Sequence, residues 1–108
     1  MEWRKVVAIV RPTVLDKVEE RLKELGVKGL TVTKVKGYGE YANFYKENWL
    51  VDGARIEIFI ARSGVDAVVD AILDVAHVGT PGDGIVAVLP VERLLRIRTK
   101  AEYESPEP

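Results

Sequence analysis

Two strand–helix–strand units, set fifty residues apart, predict an α+β chain. The expected architecture is a ferredoxin-like βαββαβ sandwich, an antiparallel sheet with two helices on one face. The first observation behind it is the order of the apolar runs, strand-helix-strand, loop, strand-helix-strand. The second is their register: Thr13 and Ser63, Asp16 and Asp66, Val18 and Val68, and Leu22 and Ile72 stand at matching positions. The third is size. A chain of 108 residues that is 47% apolar makes one domain with a real core, yet two helices leave the second sheet face open. Self-association is the expected cover.

Each element has its own reason. Val6, Val7, Ala8, Ile9 and Val10 form a β-branched run ending at Arg11 and Pro12, which reads as a buried strand. Thr13 is placed to cap a helix, with Asp16 near its positive end. Leu15, Val18, Leu22 and Leu25 make one apolar helical stripe, and Gly26 ends it. A second strand is expected over 30–36, with Leu30, Val32 and Lys34 on one face. Gly37, Tyr38 and Gly39 break it. Residues 40–52 show no period. A third strand is expected over 55–61.

Ser63, Gly64, Val65 and Asp66 repeat the helix start, and Val65, Val68, Val69, Ile72 and Leu73 give the second helix its apolar face. Glycine and proline mark 78–84 as a loop. Strands are expected over 85–89 and 94–98. The domain is expected to span 1–100. The remainder, 101–108, holds three glutamates and two prolines and is expected to be disordered.

Composition narrows the function. The formal net charge of −1 lacks the basic excess of a protein that coats nucleic acid or an anionic membrane. The absence of cysteine excludes disulfides, thiolate catalysis and Cys-based zinc sites. No apolar run is long enough to span a bilayer, and the first residues lack the apolar core of a secretion signal. A cytoplasmic protein without direct membrane insertion is expected.

Several residues are candidates for binding. Arg96 and Arg98, two apart in an expected strand, would point to one face roughly 6–7 Å apart. Such a pair either clamps a phosphate or forms an ordinary solvated face. Gly82, Asp83 and Gly84 close a glycine-rich loop that either offers backbone N–H groups to an anion or simply turns from helix to strand. It lacks the Gly-Lys-Ser/Thr ending of a P-loop. Tyr41, Phe44, Tyr45 and Trp49 lie in one long segment, which either binds a partner or folds onto its own domain. Glu57 is a solvent-facing strand residue or an acceptor for a ligand. His77, the single histidine, suits a helix end better than a metal site. No Ser-His-Asp set and no carboxylate pair emerges.

In sequence order, these segments resemble the PII nitrogen-regulatory family. The resemblance rests on Ala8 to Pro12, Gly29 to Gly39, Ile56-Glu57-Ile58, Gly82-Asp83-Gly84 and Arg96-Ile97-Arg98-Thr99. It implies a homotrimer, with open sheet faces turned inward and a nucleotide cleft between neighbouring subunits. It implies a partner-binding T-loop at about 40–53, a B-loop at about 78–85 and a C-terminal loop over 96–99 donated by the neighbour. Thr31, Glu57 and Phe59 would surround adenine and ribose. Gly37, Tyr38 and Gly39 would join the nucleotide site, Gly82, Asp83 and Gly84 would supply backbone donors, and Arg96 and Arg98 would neutralise phosphates. The effector would be ADP, AMP or ATP. The partner would be a membrane transporter or a regulatory enzyme, by default in nitrogen metabolism.

This chain also departs from the family pattern. Ile85 replaces the lysine that follows Gly-Asp-Gly, so ADP or AMP is expected to compete well with ATP. Glu40 and Tyr41 replace a basic residue and the glutamine that helps hold magnesium and 2-oxoglutarate. A lysine is missing around Gly53, and the T-loop is short. The family's usual sensing of 2-oxoglutarate is therefore not expected, and a role for magnesium stays open. Tyr45 is a candidate modification site, although its surroundings do not match the uridylylated loop. A divergent PII-like member regulating inorganic-carbon or metal transport is the alternative. An acylphosphatase-like enzyme on the same fold would need Arg11 as its phosphate-binding arginine, but its asparagines, Asn43 and Asn48, both fall in the long loop.

Overall fold

The structure is a computed structural model that describes residues 1–38 and 50–104. The first unit runs β1 (Trp3–Val10), α1 (Leu15–Glu24) and β2 (Thr31–Gly37). The second runs β3 (Val51–Ala61), α2 (Val65–Ala76) and β4 (Gly84–Val91). A short hairpin follows, β5 (Leu95–Arg96) and β6 (Ala101–Glu102). The four long strands form one antiparallel sheet in the order β2-β3-β1-β4. This is the expected ferredoxin-like sandwich, and its helices start fifty residues apart, at Leu15 and Val65.

Alternation along the strands divides the sheet into two faces. Val6, Ala8 and Val10 of β1 and Ala54, Ile56 and Ile58 of β3 point towards the helices and are buried. They meet Val18 and Leu22 from α1 and Val65, Val68 and Ile72 from α2. The paired positions Val18 and Val68, and Leu22 and Ile72, thus occupy equivalent places in one core. Leu25 and Leu73, at the edges of the two apolar stripes, stay exposed.

The helix ends differ in how well their chemistry was anticipated. Gly26 takes φ +89°, with its N–H donated to the Lys23 carbonyl and that of Val27 to the Leu22 carbonyl. That is a Schellman closure, which glycine makes without a Cβ clash. Thr13 does not cap α1. Pro12, whose ring fixes φ, starts a 3₁₀ turn over Pro12–Val14, and the N–H of Val14 returns to the Arg11 carbonyl at 3.2 Å. The same turn precedes α2 at Arg62–Gly64, again without a side-chain cap.

Two expectations about the C-terminal region are corrected. The strand expected over 94–98 has only two residues, and Arg98 lies in the turn that follows. Lys100 adopts φ +56° there, which reverses the chain. The disorder expected from residue 101 does not hold through 104. Ala101 and Glu102 pair with Arg96 and Leu95, and the Tyr103 N–H is donated to the Leu94 carbonyl at 2.9 Å. The ring of Tyr103 meets Trp3 edge-on, with centroids 5.9 Å apart, and Trp3 is buried. Composition favoured disorder, but an aromatic contact with the start of β1 outweighs it.

Leu22 is fully buried between α1 and the sheet. Leu22→Ala should lower stability by about 2–5 kcal/mol through lost apolar contact and the cavity left behind. Urea denaturation, with the m-value unchanged, measures it; a loss below about 1 kcal/mol would place Leu22 outside the core.

Candidate functional site

The loop between α2 and β4 is built around one carboxylate. Asp83 Oδ2 accepts the N–H groups of Val78 at 3.0 Å and Gly79 at 2.8 Å. Its Oδ1 accepts from Arg11 Nη1 at 2.5 Å. The other arm of Arg11, Nη2, donates to the Thr80 hydroxyl at 3.0 Å and to the Pro81 carbonyl at 2.9 Å. The end of β1 and the loop before β4, some seventy residues apart in sequence, are thereby clamped together. His77 Nδ1 approaches the same carboxylate at 3.7 Å and places the histidine at the end of α2.

The glycines of this loop are required by its backbone. Gly79, Gly82 and Gly84 all have positive φ. At Gly84 a Cβ would lie 1.8 Å from the Ile9 carbonyl oxygen, so no other residue fits while β4 pairs with β1. The N–H of Asp83 turns inward to the Thr80 carbonyl at 3.3 Å.

A cleft of about 300 Å³ opens beside this loop. It is walled by the end of β1 (Ile9, Val10, Arg11), the end of β2 (Val35, Lys36, Gly37), the start of β3 and the loop at Pro81 and Gly82. Gly37 and Gly82, proposed from sequence for one site, therefore do share one cleft. Asp83 and Gly84 lie directly behind Gly82. Lys36 faces Asp52 at 3.8 Å, both well exposed. Tyr38 is exposed just past β2. Gly39, Tyr41, Phe44, Tyr45 and Trp49 lie outside the described residues.

Thr31, Glu57 and Phe59 lie farther along the helix-free face. Thr31 and Glu57 are direct cross-strand partners, and Phe59 is the next residue on that face of β3. Glu57 is not a free acceptor. Lys5 Nζ lies 2.7 Å from it and Arg55 Nε 3.0 Å, the latter out of line for a hydrogen bond. The Lys5 hydrogen bond is the main reason its carboxyl sits below the usual range, with the positive charges of Lys5 and Arg55 adding to it. Lys5 also stands 5.7 Å from the centre of the Phe59 ring. Ile85 pairs with Ile9 on this face and offers no charge.

Arg96 and Arg98 lie elsewhere in the same chain. The hairpin carrying them packs at the Trp3 end of β1, about 23 Å along the strand from the cleft at Val10. Only Arg96 lies in a strand, so the alternation expected to aim both side chains one way does not apply. Sequence reasoning did not identify Arg11 as the anchor of the loop. The Arg-Pro step after β1 was its one visible signal, and its partner lies seventy-two positions away. Among the described residues, no three histidines or carboxylates gather as a metal site.

With this geometry in place, comparison with known proteins decides the family. The model of the family described as "Nitrogen regulatory protein P-II" matches residues 3–101. The chain belongs to the P-II family. The nitrogen regulatory protein P-II of Azospirillum brasilense is 41% identical over 103 residues, covering 89% of this chain and 92% of that protein. Nitrogen regulatory protein P-II 1 of Escherichia coli K12 is also 41% identical, covering 94% of this chain and 97% of its own length. Arabidopsis thaliana PII, crystallised with citrate bound, superposes with a TM-score of 0.82 at 32% identity, covering 98% of this chain and 91% of that one. These P-II relatives are named as regulatory proteins, not as enzymes, and the match spans both strand–helix–strand units.

The Asp83 carboxyl is held down from 3.8 to about 2, first by the Gly79 N–H, then by that of Val78, with Arg11 adding to both. A carboxyl lowered on folding stabilises the fold fully above its unfolded value and loses that contribution as pH falls through about 2. Asp83→Asn should therefore be less stable than the parent by a constant margin above about pH 4. That margin should shrink as the pH is taken towards 2. Thermal unfolding across pH 2–7 measures it; a margin unchanged down to pH 2 would contradict the ion pair.

Proposed function

We propose that this P-II chain is a signal-transduction regulator that binds an adenine nucleotide in clefts between the subunits of a homotrimer. The observation carrying the reading is the cleft beside the Asp83 loop. There a glycine backbone, free of side chains at Gly82 and Gly84, borders the end of β2 at Gly37. A surface of this kind lets an anion approach the main chain. Thr31, Glu57 and Phe59 extend from it along the helix-free face and would line the base and ribose. Arg96 and Arg98, distant within one chain, would reach the phosphates from a neighbour.

The helix-free face supports self-association. Ile85, Leu89 and Phe59 are exposed on it, around the Lys5–Glu57–Arg55 charges. Burying that face in a trimer removes apolar surface from water while the charges stay paired. The segment 40–53 would contact the regulated partner, a membrane transporter or a regulatory enzyme, by default in nitrogen metabolism. Regulation of inorganic-carbon or metal transport is the second reading, favoured by the departures at Glu40, Tyr41 and Gly53. An acylphosphatase-like role is disfavoured because both terminal nitrogens of Arg11 are already held by Asp83, Thr80 and Pro81. The cytoplasm is the proposed compartment. Among the described residues, no helix is long and apolar enough to cross a membrane.

ADP or AMP should bind at least as tightly as ATP, because Ile85 supplies no charge to a third phosphate, and 2-oxoglutarate should add little. Calorimetric titration of each nucleotide, with and without magnesium and 2-oxoglutarate, tests this on protein whose mass by sedimentation equilibrium should be three times 12.0 kDa. Strong synergy between ATP and 2-oxoglutarate would contradict the ligand preference. A monomer at micromolar concentration would remove the shared cleft.

A further inference from the structure

The C-terminal hairpin and the start of β1 bring together three side chains, one of which lies beyond the family match, which ends at residue 101. Trp3, only 4% exposed, is met edge-on by Tyr103. The guanidinium carbon of Arg96 sits 4.4 Å from the centre of the same Tyr103 ring. The backbone bond from Tyr103 to Leu94 and the Arg93–Glu102 pair at 2.7 Å fix the ring's height in the hairpin. Nothing among the described residues bonds to the Tyr103 hydroxyl or accepts from the Arg96 guanidinium.

This arrangement does something specific to an arginine. An aromatic face attracts the guanidinium through its ring quadrupole and engages the flat side of the group. All five N–H donors lie in the guanidinium plane, so a stacked arginine keeps its edges for a bidentate anion. A carboxylate partner would instead occupy those edges. Stacking also removes rotamer freedom from a long side chain before any ligand arrives. Trp3, anchored in β1, holds the ring in turn.

We propose that Tyr103 is a positioning residue for Arg96, holding its guanidinium flat and edge-free so that it is ready to fork onto a phosphate. The proposal rests on the nucleotide-binding reading above and adds a residue that the family motif does not contain. Arg98, in the turn, has no such support among the described residues.

The test compares Tyr103→Leu and Tyr103→Phe with the parent full-length chain, titrating ADP and adenosine separately. Tyr103→Leu should weaken ADP binding about two- to fivefold, the scale of an exposed cation–π contact. Adenosine, which has no phosphate, should bind as before. Tyr103→Phe keeps the ring and should restore parental ADP affinity. In a Trp49→Phe background, Trp3 is the sole tryptophan. Its emission should shift to the red with Tyr103→Leu and stay unchanged with Tyr103→Phe. Equal losses for ADP and adenosine, or a phenylalanine variant as weak as the leucine one, would overturn the assignment. A parent that binds ADP alongside an unaffected leucine variant would also overturn it. A parent that binds no ADP would instead overturn the function on which the assignment rests.

Discussion

The carboxylate of Asp83 joins three places that sequence distance keeps apart. It accepts two N–H groups just past the end of α2, receives Arg11 as the chain leaves β1, and lies one residue before β4 begins. One carboxylate thus satisfies two backbone donors and a guanidinium at once, and bonds to a charged acceptor are stronger than neutral ones. Arg11 then uses its second arm to bond Thr80 and Pro81, so the loop is held by side chains of its own chain. The left-handed glycines follow from that shape. Gly84 in particular allows β4 to lie against the Ile9 carbonyl. A loop ordered in this way is suited to binding, because the cost of ordering it is met on folding and not at the encounter with a ligand.

The second constraint is the one-sided sheet. Both helices cover the face carrying Val6, Ile56 and their neighbours, while the other carries apolar side chains around Lys5, Glu57 and Arg55. That composition is neither a plain solvent face nor a plain core. The ion pairs make it tolerable in water, and their mutual pairing makes it compatible with burial against another copy. At its far end the hairpin of β5 and β6 already covers part of this face through Tyr103 and Trp3. The fold thus brings the arginines and the glycine loop to opposite ends of β1, an arrangement in which a site using both needs two subunits.

Much of this was legible in the sequence because it depends on local pattern. The fifty-residue repeat located both helices, and their apolar spacing identified Val18, Leu22, Val68 and Ile72 as core. Gly26 was readable as a helix stop because its role requires only its own backbone. Two of the failures come from contacts between distant residues. Arg11 and Asp83 read as a strand end and a turn residue, since neither reveals its partner. Residues 101–104 read as disordered because the window contains charge and little apolar surface, while the Trp3 that orders Tyr103 lies at the other end of the chain. The Arg96 and Arg98 geometry failed for a local reason. Strand alternation was applied to a stretch whose strand is two residues long, followed by a turn through Lys100.

The central claim is that the Asp83 clamp shapes the loop between α2 and β4 in the ligand-free protein. Amide hydrogen exchange at Val78 and Gly79, resolved by NMR at near-neutral pH without nucleotide, tests it most directly. Both N–H groups are held by Asp83 in the structure. They should be protected in the parent and exchange much faster in Asp83→Ala, while amides in the middle of β1 and β3 keep their protection. Exchange of Val78 and Gly79 in the parent at the rate of an unstructured peptide would contradict the account, because the loop would then acquire its shape only with a ligand bound.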